Sequence, residues 1–533
     1  MSQLDNREQA AMSQIETTSE RITDLLDQFA NTRPDAPAAT LGDDTLSYSD
    51  LKRARNDIAK GLMAIGVKPG DRVAMIAHPS NQFWIALHAV TSIGATWVGV
   101  NPVYQERDFE SAFSAAVPKA LLIATQPSPR DYASETQRFM SGRVTVSDQA
   151  DANGETLSFD DLVERGKSVT QAELLDRQAG VDPEDIAVIV FTSGTTGTPK
   201  GAMLSHRALA SSARANGRWM TDASMVCGAC VSPVNHVGAL TNVCMNLLAC
   251  GGHIVFHPGV DLEAIVKIGE VHQPTFMQTS PTGFSMMLAH GGFAEFIDGL
   301  RLIVFGGAMT AESTLAKVAK PGLMMSSVYG QSETCGIVTY TDPADDIEVH
   351  GNTIGHVLPG AELRIADEHE QSVRDGEAGE IQIRGPYCMS GYFNNPEATD
   401  AAFTSDGFLR TGDIGKIRED GNVVFVGRLK EMFKSGGYNV YPVEIEQAIC
   451  EHPAVALAAV LDVPHPTFQE VGHAIIQPKP GQSVTDQEIE EFLRSRIANY
   501  KVPKSFQTLE AMPLLPNGKI DKVALRETLP TSV

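Results

Sequence analysis

Basic residues, cysteines and aromatic residues are all scarce in this sequence of 533 residues. Lys and Arg number 42 against 66 Asp and Glu, so the formal net charge is −24. Because the chain is acidic and has no run of Lys and Arg, a nucleic-acid surface or an anionic-membrane surface is excluded. Any polyphosphate ligand must therefore be held by a local site rather than by the overall field of the protein.

The cysteines are too few and too irregular for a disulfide framework. Seven cysteines is an odd number for so long a chain, which favours reduced thiols. Cys227 and Cys230 form a C-x-x-C pair, but no second Cys or His pair follows at the spacing of a zinc site. We therefore expect these two cysteines to be small core residues.

Long apolar runs are also missing. The most apolar stretch, residues 84–100, contains His88 and Thr91 and predicts a buried helix that runs into a strand. It is too short and too polar to cross a bilayer. The first residues lack the pattern of a secretory signal, and the last four, PTSV, lack a peroxisomal or prenylation motif. We expect a cytoplasmic protein.

Helical and strand patterns alternate through most of the chain. Ser49 is predicted to cap a helix whose apolar face contains Leu51, Ala54, Ile58, Leu62 and Ile65. Residues 186–191 and 302–305 read as buried strands, and Ser205 is predicted to cap another helix. This alternation predicts a large, multi-layered α/β domain over residues 1–427.

A different pattern begins at residue 428. A helix from Val443, strands at 455–463 and around 473–476, and a helix opened by the capping box Thr485-x-x-Glu488 are predicted there. About a hundred residues with this content suffice for a domain of their own. We expect a small, mobile α+β domain over residues 428–533, with a hinge at the boundary.

The segment TSGTTGTPKG at residues 192–201 directly follows the predicted strand 186–191. Its glycines let backbone N–H groups approach phosphate oxygens, its hydroxyl groups add donors, and Lys200 adds positive charge. The spacing is not that of the Walker loop, so an ordinary P-loop NTPase is not indicated. From composition alone, a flexible surface turn is an equally good interpretation.

Three later side chains have chemistry suited to a nucleotide, although each alone could belong to a turn. Tyr329 can stack on a purine, Glu333 can supply the carboxylate for Mg²⁺ beside a triphosphate, and Asp413 can accept both ribose hydroxyls. They lie in blocks that follow segment 192–201 in order: YGQSE at 329–333, GEAGE at 376–380, YFNNPEAT at 392–399, RTGD at 410–413, GR at 427–428 and PNGK at 516–519.

This order of blocks resembles the adenylate-forming (AMP-dependent synthetase/ligase) superfamily over nearly the whole chain, in particular acyl-CoA synthetases of the medium-chain fatty acid and 4-coumarate ligase type. The resemblance implies that ATP activates a carboxylic acid as an acyl-adenylate, which then passes its acyl group to the thiol of CoA. ATP, Mg²⁺ and CoA are therefore expected, together with a small-molecule acid.

The resemblance also implies the site residues. The ATP and AMP site would comprise Thr192, Ser193, Gly194, Thr195, Thr196, Gly197, Lys200, Gly307, Ala308, Tyr329, Gly330, Gln331, Ser332, Asp413 and Arg428. The catalytic residues would be Lys519, Glu333, Lys200 and His236, with Mg²⁺ at Glu333 and Thr196. The acyl pocket would include His236, Gly238, Ala239, Gly306, Gly307 and Cys335.

The small domain has two roles in this family, and the resemblance assigns residues to both. Lys519 would serve adenylation, after which the domain would rotate about a hinge at Lys430. The rotation would bring Ser435, Gly436 and Gly437 to the border of a CoA tunnel.

The sequence leaves alternatives for the acyl acceptor and for the carboxylic acid substrate. An amino-acid-activating domain would need an acidic residue near His236, where this chain has Asn235, and no carrier domain follows Lys519. Loading of a separate carrier protein or a luciferase-like oxygenation stays as an alternative to CoA ligation. The predicted pocket has no fixed charge, which favours an aromatic, alicyclic or medium-chain fatty acid. The oligomeric state is open, with a homodimer as one option.

Overall fold

A computed structural model describes residues 20–149, 156–192, 200–220, 226–259, 261–290, 292–515 and 519–529. Within these ranges the chain forms layered α/β structure, which confirms the predicted fold class. The predicted helix and strand at 84–100 are present as Asn81–Ser92 and Thr96–Val100. No described helix is long and apolar enough to cross a membrane.

The first sheet carries the start and the end of the predicted phosphate segment. Its strands are, in spatial order, Gly391–Tyr392, Lys200–Ser205, Ile186–Thr192, Thr96–Val100, Arg72–Ala77, Ala120–Ala124 and Val144–Ser147. Ile186–Thr192 pairs in parallel with Thr96–Val100 and antiparallel with Lys200–Ser205. The inner strands are nearly all buried, as expected for parallel strands covered on both faces.

The second sheet carries the predicted adenine and acyl side of the site. Its strands are, in spatial order, His356–Val357, Gly336–Tyr340, Met324–Gln331, Leu302–Gly306, Phe276–Thr279, Cys227–Cys230, His253–Phe256, Pro37–Leu41 and Asp44–Ser47. Its central pairs are parallel, and Met324–Gln331 pairs antiparallel with Gly336–Tyr340. Cys227 and Cys230 are buried in this sheet, so the prediction that they are core residues is confirmed.

Two smaller sheets follow. The antiparallel third sheet consists of Glu362–Ala366, Gly379–Arg384, Leu409–Ile417 and Val423–Arg428. The fourth consists of Tyr438–Val440, Phe433–Ser435, Gln469–Pro478 and Val455–His465, with Ser505–Thr508 paired to Gln469–Pro478. The fourth sheet has its own buried cluster around Ile445, Val460 and Ile489. The exact boundary between residues 427 and 428 stays a prediction.

Helices cover these sheets and connect their strands. The α-helices are Ile22–Thr32, Tyr48–Ala64, Asn81–Ser92, Glu106–Ala116, Tyr132–Thr136, Phe159–Gly166, Gln171–Ala179, His206–Gly217, Val237–Ala239, Asn246–Ala249, Leu262–His272, Pro281–Ala289, Phe293–Gly299, Glu312–Leu315, Ile347–Asn352, Pro396–Ala402, Pro442–Cys450, Asp486–Arg494 and Lys522–Arg526. A π-helix spans Leu240–Met245, and 3₁₀ turns span Gln137–Met140, Ser332–Thr334 and Leu429–Glu431.

The helix caps show where local prediction succeeds. Ser205 accepts a hydrogen bond from the N–H of Ala208, and Thr485 forms its capping box with Glu488, as predicted. The prediction that Ser49 caps the first large helix is wrong. The cap is Ser47, because its hydroxyl accepts the N–H of Asp50 while the Asp50 carboxylate accepts the N–H of Ser47.

Candidate active site

The strands on either side of the phosphate segment, Ile186–Thr192 and Lys200–Ser205, are antiparallel, and Thr192 pairs with Lys200. The Thr192 hydroxyl donates to the Lys200 carbonyl at 3.3 Å, while the predicted residues Ser193, Gly194, Thr195, Thr196 and Gly197 lie outside the described part of the chain. The Lys200 ammonium lies 5.1 Å from the centre of the Tyr392 ring. This cation–π contact holds the positive charge of Lys200 beside Tyr392.

Tyr392 also fixes the predicted metal carboxylate. Its strand, Gly391–Tyr392, pairs with Lys200–Ser205, and its hydroxyl donates to Glu333 Oε1 at 2.8 Å. The backbone around Glu333 is held as well, because its carbonyl accepts the N–H of Met389 at 2.7 Å. One tyrosine thus joins the ammonium of Lys200 and the carboxylate of Glu333 into one cluster.

The second cluster contains Tyr329, Asp413 and Arg428. The Tyr329 hydroxyl donates to Asp413 Oδ2 at 2.8 Å, and Arg428 Nε lies 3.4 Å from Asp413 Oδ1. Asp413 is only 5% exposed, and burial raises the pKa of its carboxyl group although Arg428 and Tyr329 act in the opposite direction. A buried carboxylate held by two donors is a preorganised acceptor for sugar hydroxyls.

The irregular stretch of the strand Leu409–Ile417 just before Asp413 is held by the block at 376–380 and its neighbour Ile381. Glu380 Oε1 accepts the N–H of Gly412 at 3.0 Å, and the Thr411 hydroxyl donates to the Ile381 carbonyl at 2.6 Å. Gly412 has a φ of 71°, a conformation that glycine adopts at little cost. This support fixes the direction in which the Asp413 side chain leaves the strand Leu409–Ile417.

Lys519 lies against this second cluster. A methyl group at Gly307, whose φ is 90°, would lie 3.4 Å from Lys519 Cε. The protein around Lys519 displaces water and, together with Arg428, lowers the pKa of its ammonium group, while Asp413 opposes the shift. The N–H of Leu515 donates to the Lys519 carbonyl at 2.7 Å, which anchors the backbone there.

His236 begins the short helix Val237–Ala239, and its Nδ1 accepts the N–H of Gly238 at 3.0 Å. Its remaining proton is therefore assigned to Nε2. Burial lowers the pKa of His236 to about 4, and the nearby Lys519 charge acts in the same direction. At neutral pH the imidazole is uncharged.

The structure thus places Lys519, which follows the small sheet in the chain, beside residues of the large domain. Lys519 lies close enough to Gly307 to meet an added Cβ there, and its charge acts on His236 and Asp413 although it is far from all three along the chain. Residues 26–393 match the family model described as AMP-binding enzyme, and residues 444–519 match the model of its C-terminal domain.

The chain belongs to the AMP-binding enzyme family.

Relatives within this family align with this chain over almost its full length and almost all of their own. A feruloyl-CoA synthase from an Amycolatopsis species is 33% identical, over 93% of this chain and 96% of the relative. A methyl-dioxo-octahydro-indenyl propanoyl:CoA ligase from Mycobacterium tuberculosis is 32% identical, over 94% and 97%. The crystal structure of ATP bound MatB from Rhodopseudomonas palustris is 29% identical with a TM-score of 0.81, over 95% and 98%. These relatives, which are named as CoA ligases or synthases, confirm the predicted class of enzyme.

For this AMP-binding enzyme the structure separates the remaining predicted residues into two groups. Gly306 ends the strand Leu302–Gly306, Gly307 and Ala308 follow it, and Gly307 lies beside Lys519. Ala239 and Cys335 are at most 1% exposed and lie in the main core. Their assignment to the acyl pocket stays a prediction.

The tip of the YGQSE hairpin is very tight. A Cβ on Gly330 would lie 1.8 Å from the carbonyl oxygen of Gly336, so this position admits only glycine. Gln331 ends the strand, and Ser332 is buried in the following 3₁₀ turn with Glu333. The hairpin therefore fixes the direction of Glu333 through its backbone.

The predicted hinge and CoA residues lie in the small sheet and its approach. Lys430 is in the 3₁₀ turn Leu429–Glu431, directly after Arg428, and burial and Arg428 lower the pKa of its ammonium group. Ser435 is buried and pairs with Gln469, while Gly436 and Gly437 form an exposed turn with φ of 58° and 88°. Within the described residues, no hydrogen bond or ion pair connects this turn with Glu333.

The donor set at Glu333 fits Mg²⁺. This ion is commonly held by one or two carboxylates together with substrate phosphates, so a single oriented carboxylate suffices. Among the described residues no group of three His, Cys, Asp or Glu forms a dedicated metal cage.

Sequence reasoning gave no role to Tyr392 or Glu380, although both lie in blocks that carried the resemblance. The only signal for Tyr392 in the sequence was its place at the start of the block 392–399. Its contact with Glu333 could be found only once the strand pairing was known.

Proposed function

We propose that this AMP-binding enzyme is an acyl-CoA ligase that adenylates an uncharged, hydrophobic carboxylic acid and transfers the acyl group to CoA. The observation that carries the proposal is the position of Lys519 against Gly307, beside Asp413 and Arg428. This lysine belongs to the last described segment of the chain, and its placement matches what adenylation requires.

Adenylation joins two anions, so positive charge has to be fixed around the phosphates. An oxygen of the substrate carboxylate attacks the α-phosphorus of ATP, and the bond to pyrophosphate breaks. Lys200 and Lys519 supply charge, Asp413 holds the ribose, and Tyr329 lies against the adenine side. Mg²⁺, held by Glu333 and Thr196, would neutralise phosphate charge when bound.

In the second step the CoA sulfur attacks the carbonyl carbon of the acyl-adenylate, and AMP leaves. His236 stays uncharged at neutral pH, so it does not attract the phosphates. We propose that rotation at Lys430 brings Ser435, Gly436 and Gly437 to the CoA channel, and that the thiol passes His236 on its way to the carbonyl.

The proposed substrate class rests on the pocket and on the relatives. Gly306, Gly307 and Gly238 offer little side-chain volume and no charge, which suits a bulky apolar acid. The relatives are named for ferulic and indenyl propanoic acids, both ring-containing. Aromatic, alicyclic and medium-chain fatty acids are therefore the acids to assay.

The test is a panel of such acids assayed for AMP and pyrophosphate release with and without CoA. We expect both products to match the loss of free CoA thiol for at least one acid. Lys519→Ala should lose the activity, with Arg526→Ala, on the outer side of the same segment, as the control. Product release that needs a carrier protein, or light emission without CoA, would assign the chain to the alternative acceptor classes.

A further inference from the structure

Lys522 lies three residues after Lys519 and is bound by two carboxylates. Its Nζ is 2.8 Å from Glu431 Oε2 and 2.9 Å from Glu446 Oε1. The three side chains are 25%, 27% and 17% exposed, so the cluster is largely screened from water. Charge-assisted hydrogen bonds of this length are the strong ones in proteins.

Charge is retained in this cluster. Burial alone would lower the pKa of Lys522, but Glu446 and Glu431 outweigh it and raise that pKa. Burial alone would raise the pKa of Glu431, but Lys522 lowers it. Lys522 and Glu431 are therefore charged at neutral pH, and removal of the ammonium would leave two partly buried carboxyl groups without their cation.

Lys522 connects three parts of the small domain. Glu431 ends the turn that contains Lys430, and Glu446 lies on the helix Pro442–Cys450, where its Oε1 also accepts the N–H of Val460 at 2.8 Å. Lys522 itself opens the helix Lys522–Arg526, which Asp521 caps. The predicted hinge and the segment after Lys519 are thus joined through one ammonium group.

Backbone hydrogen bonds hold the short segment between Lys519 and Lys522 in place. Leu514 and Ile520 form an antiparallel β-bridge. The N–H of Asp521 donates to the Pro513 carbonyl at 2.9 Å, and the N–H of Leu515 donates to the Lys519 carbonyl at 2.7 Å. A shift of Lys522 would therefore be transmitted to Lys519. Adenylation is sensitive to such a shift because displacement of a catalytic group by about 1 Å can cost about a hundredfold in rate.

We propose that Lys522 is a positioning residue that holds Lys519 in its adenylating place by tying its segment to Glu431 and Glu446. The proposal rests on the proposed function, in which Lys519 serves adenylation and not thioester formation. Lys522 contacts neither ATP nor the acid in this mechanism, and its effect passes through Lys519.

The first test separates the two half-reactions in Lys522→Met, which keeps the length of the side chain and removes the charge. Single-turnover pyrophosphate release should fall at least about tenfold, whereas CoA-dependent consumption of supplied acyl-adenylate should stay within about twofold of the wild type. Lys522→Arg should recover part of the adenylation rate. Arg526→Met is the matched control, because Arg526 pairs with Asp462 outside this cluster.

A double variant tests whether Lys522 acts through Lys519. If it does, Lys519→Ala combined with Lys522→Met should adenylate no more slowly than Lys519→Ala alone. Additive losses, equal losses in both half-reactions, or a loss confined to thioester formation would each overturn the proposal.

A measurement without substrate keeps this proposal distinct from the proposed function. Hydrogen exchange of the backbone amides of residues 514–515 and 519–521 should be faster in Lys522→Met than in Arg526→Met, because only the first loses the tie to Glu431. Equal exchange would overturn the positioning role. Absence of pyrophosphate release by the wild type with every acid would instead overturn the proposed function.

Discussion

At the residue scale, the ring and the hydroxyl of Tyr392 have different partners and therefore different roles. The ring lies beside the Lys200 ammonium, and the hydroxyl donates to Glu333 at 2.8 Å. Removal of one hydrogen bond to a charged group costs about 1.5–3 kcal/mol. The hydroxyl therefore acts mainly on the orientation of the proposed Mg²⁺ carboxylate.

We predict that Tyr392→Phe raises the Mg²⁺ concentration needed for half-maximal pyrophosphate release by roughly tenfold or more, because Glu333 loses its donor. The measurement is the rate at saturating acid over a Mg²⁺ titration. Tyr392→Leu, which also removes the ring beside Lys200, should in addition raise the KM for ATP. An unchanged Mg²⁺ dependence in Tyr392→Phe would contradict the role assigned to Glu333.

At the scale of an element, the short helix Val237–Ala239 combines His236 with two small residues. A Cβ at Gly238 would lie 3.2 Å from His236 Nδ1, so even one methyl group presses on the imidazole. We predict that Gly238→Phe raises KM for large acids more than for small ones, a discrimination of roughly 1 to 3 kcal/mol.

Gly238→Ala is the control for this helix. It should affect all acids equally, because it moves His236 without filling the pocket. Steady-state KM and kcat over an acid series separate the two effects. If Gly238→Phe also shows equal losses across the series, the side chain at 238 lies outside the acyl pocket.

The irregular stretch at residues 411–413 of the strand Leu409–Ile417 is a second element with a separable effect. Glu380 accepts the Gly412 N–H, so Glu380→Ala leaves that donor unsatisfied and frees the direction of Asp413. We predict a roughly tenfold increase in the KM for ATP, since one hydrogen bond to a charged group is lost, with little change in the KM for the acid. Glu377→Ala, in an exposed part of the same block, should behave as the wild type.

At the scale of the whole molecule, the two half-reactions should separate by mutation. Lys519→Ala should depress acyl-adenylate formation by on the order of a hundredfold or more, while thioester formation from supplied adenylate largely survives. Lys430→Pro should do the opposite, because a proline suits the present 3₁₀ turn but resists the change of φ that rotation needs.

The measurements are single-turnover pyrophosphate release and CoA-dependent consumption of pre-made adenylate for each variant. Accumulation of acyl-adenylate in Lys430→Pro is the expected signature. Equal loss of both steps in both variants would show that these lysines only hold the small domain together.

The stability of the large core should also depend on pH. His88 is fully buried, neither of its ring nitrogens has a partner among the described residues, and burial lowers its pKa to about 3. Its contribution to stability is complete above the unfolded pKa of about 6.5 and is lost as the pH falls below it. The slope is about 1.4 kcal/mol per pH unit for one such group.

We predict that His88→Leu loses less stability than the wild type between pH 7 and pH 5, because no proton is taken up at this position on unfolding. Urea midpoints from tryptophan fluorescence measure this, since the tryptophans Trp84, Trp97 and Trp219 all precede the small sheet. His369→Leu, at an exposed histidine, should keep the wild-type slope. Identical slopes for His88→Leu and the wild type would show that His88 is solvated in solution.

The sequence by itself determined the features that depend on neighbouring residues. Apolar periodicity predicted the helix and strand at 84–100, and the caps at Ser205 and Thr485 followed from hydroxyl and acid spacing. The ordered blocks determined the family and the class of reaction, which the relatives confirm. The Ser49 cap was wrong because two serines compete there, and only Ser47 completes a box with Asp50.

Only the tertiary structure decided which distant residues meet. Tyr392 and Glu333 are 59 positions apart, Tyr329 and Asp413 are 84 apart, and Lys522 and Glu431 are 91 apart. Each contact depends on strand register or on the packing of one sheet over another, and no local pattern encodes these relations. Sequence therefore identified the chemical groups of the site, while the fold selected their partners, because hydrogen bonds and ion pairs act only over a few ångströms.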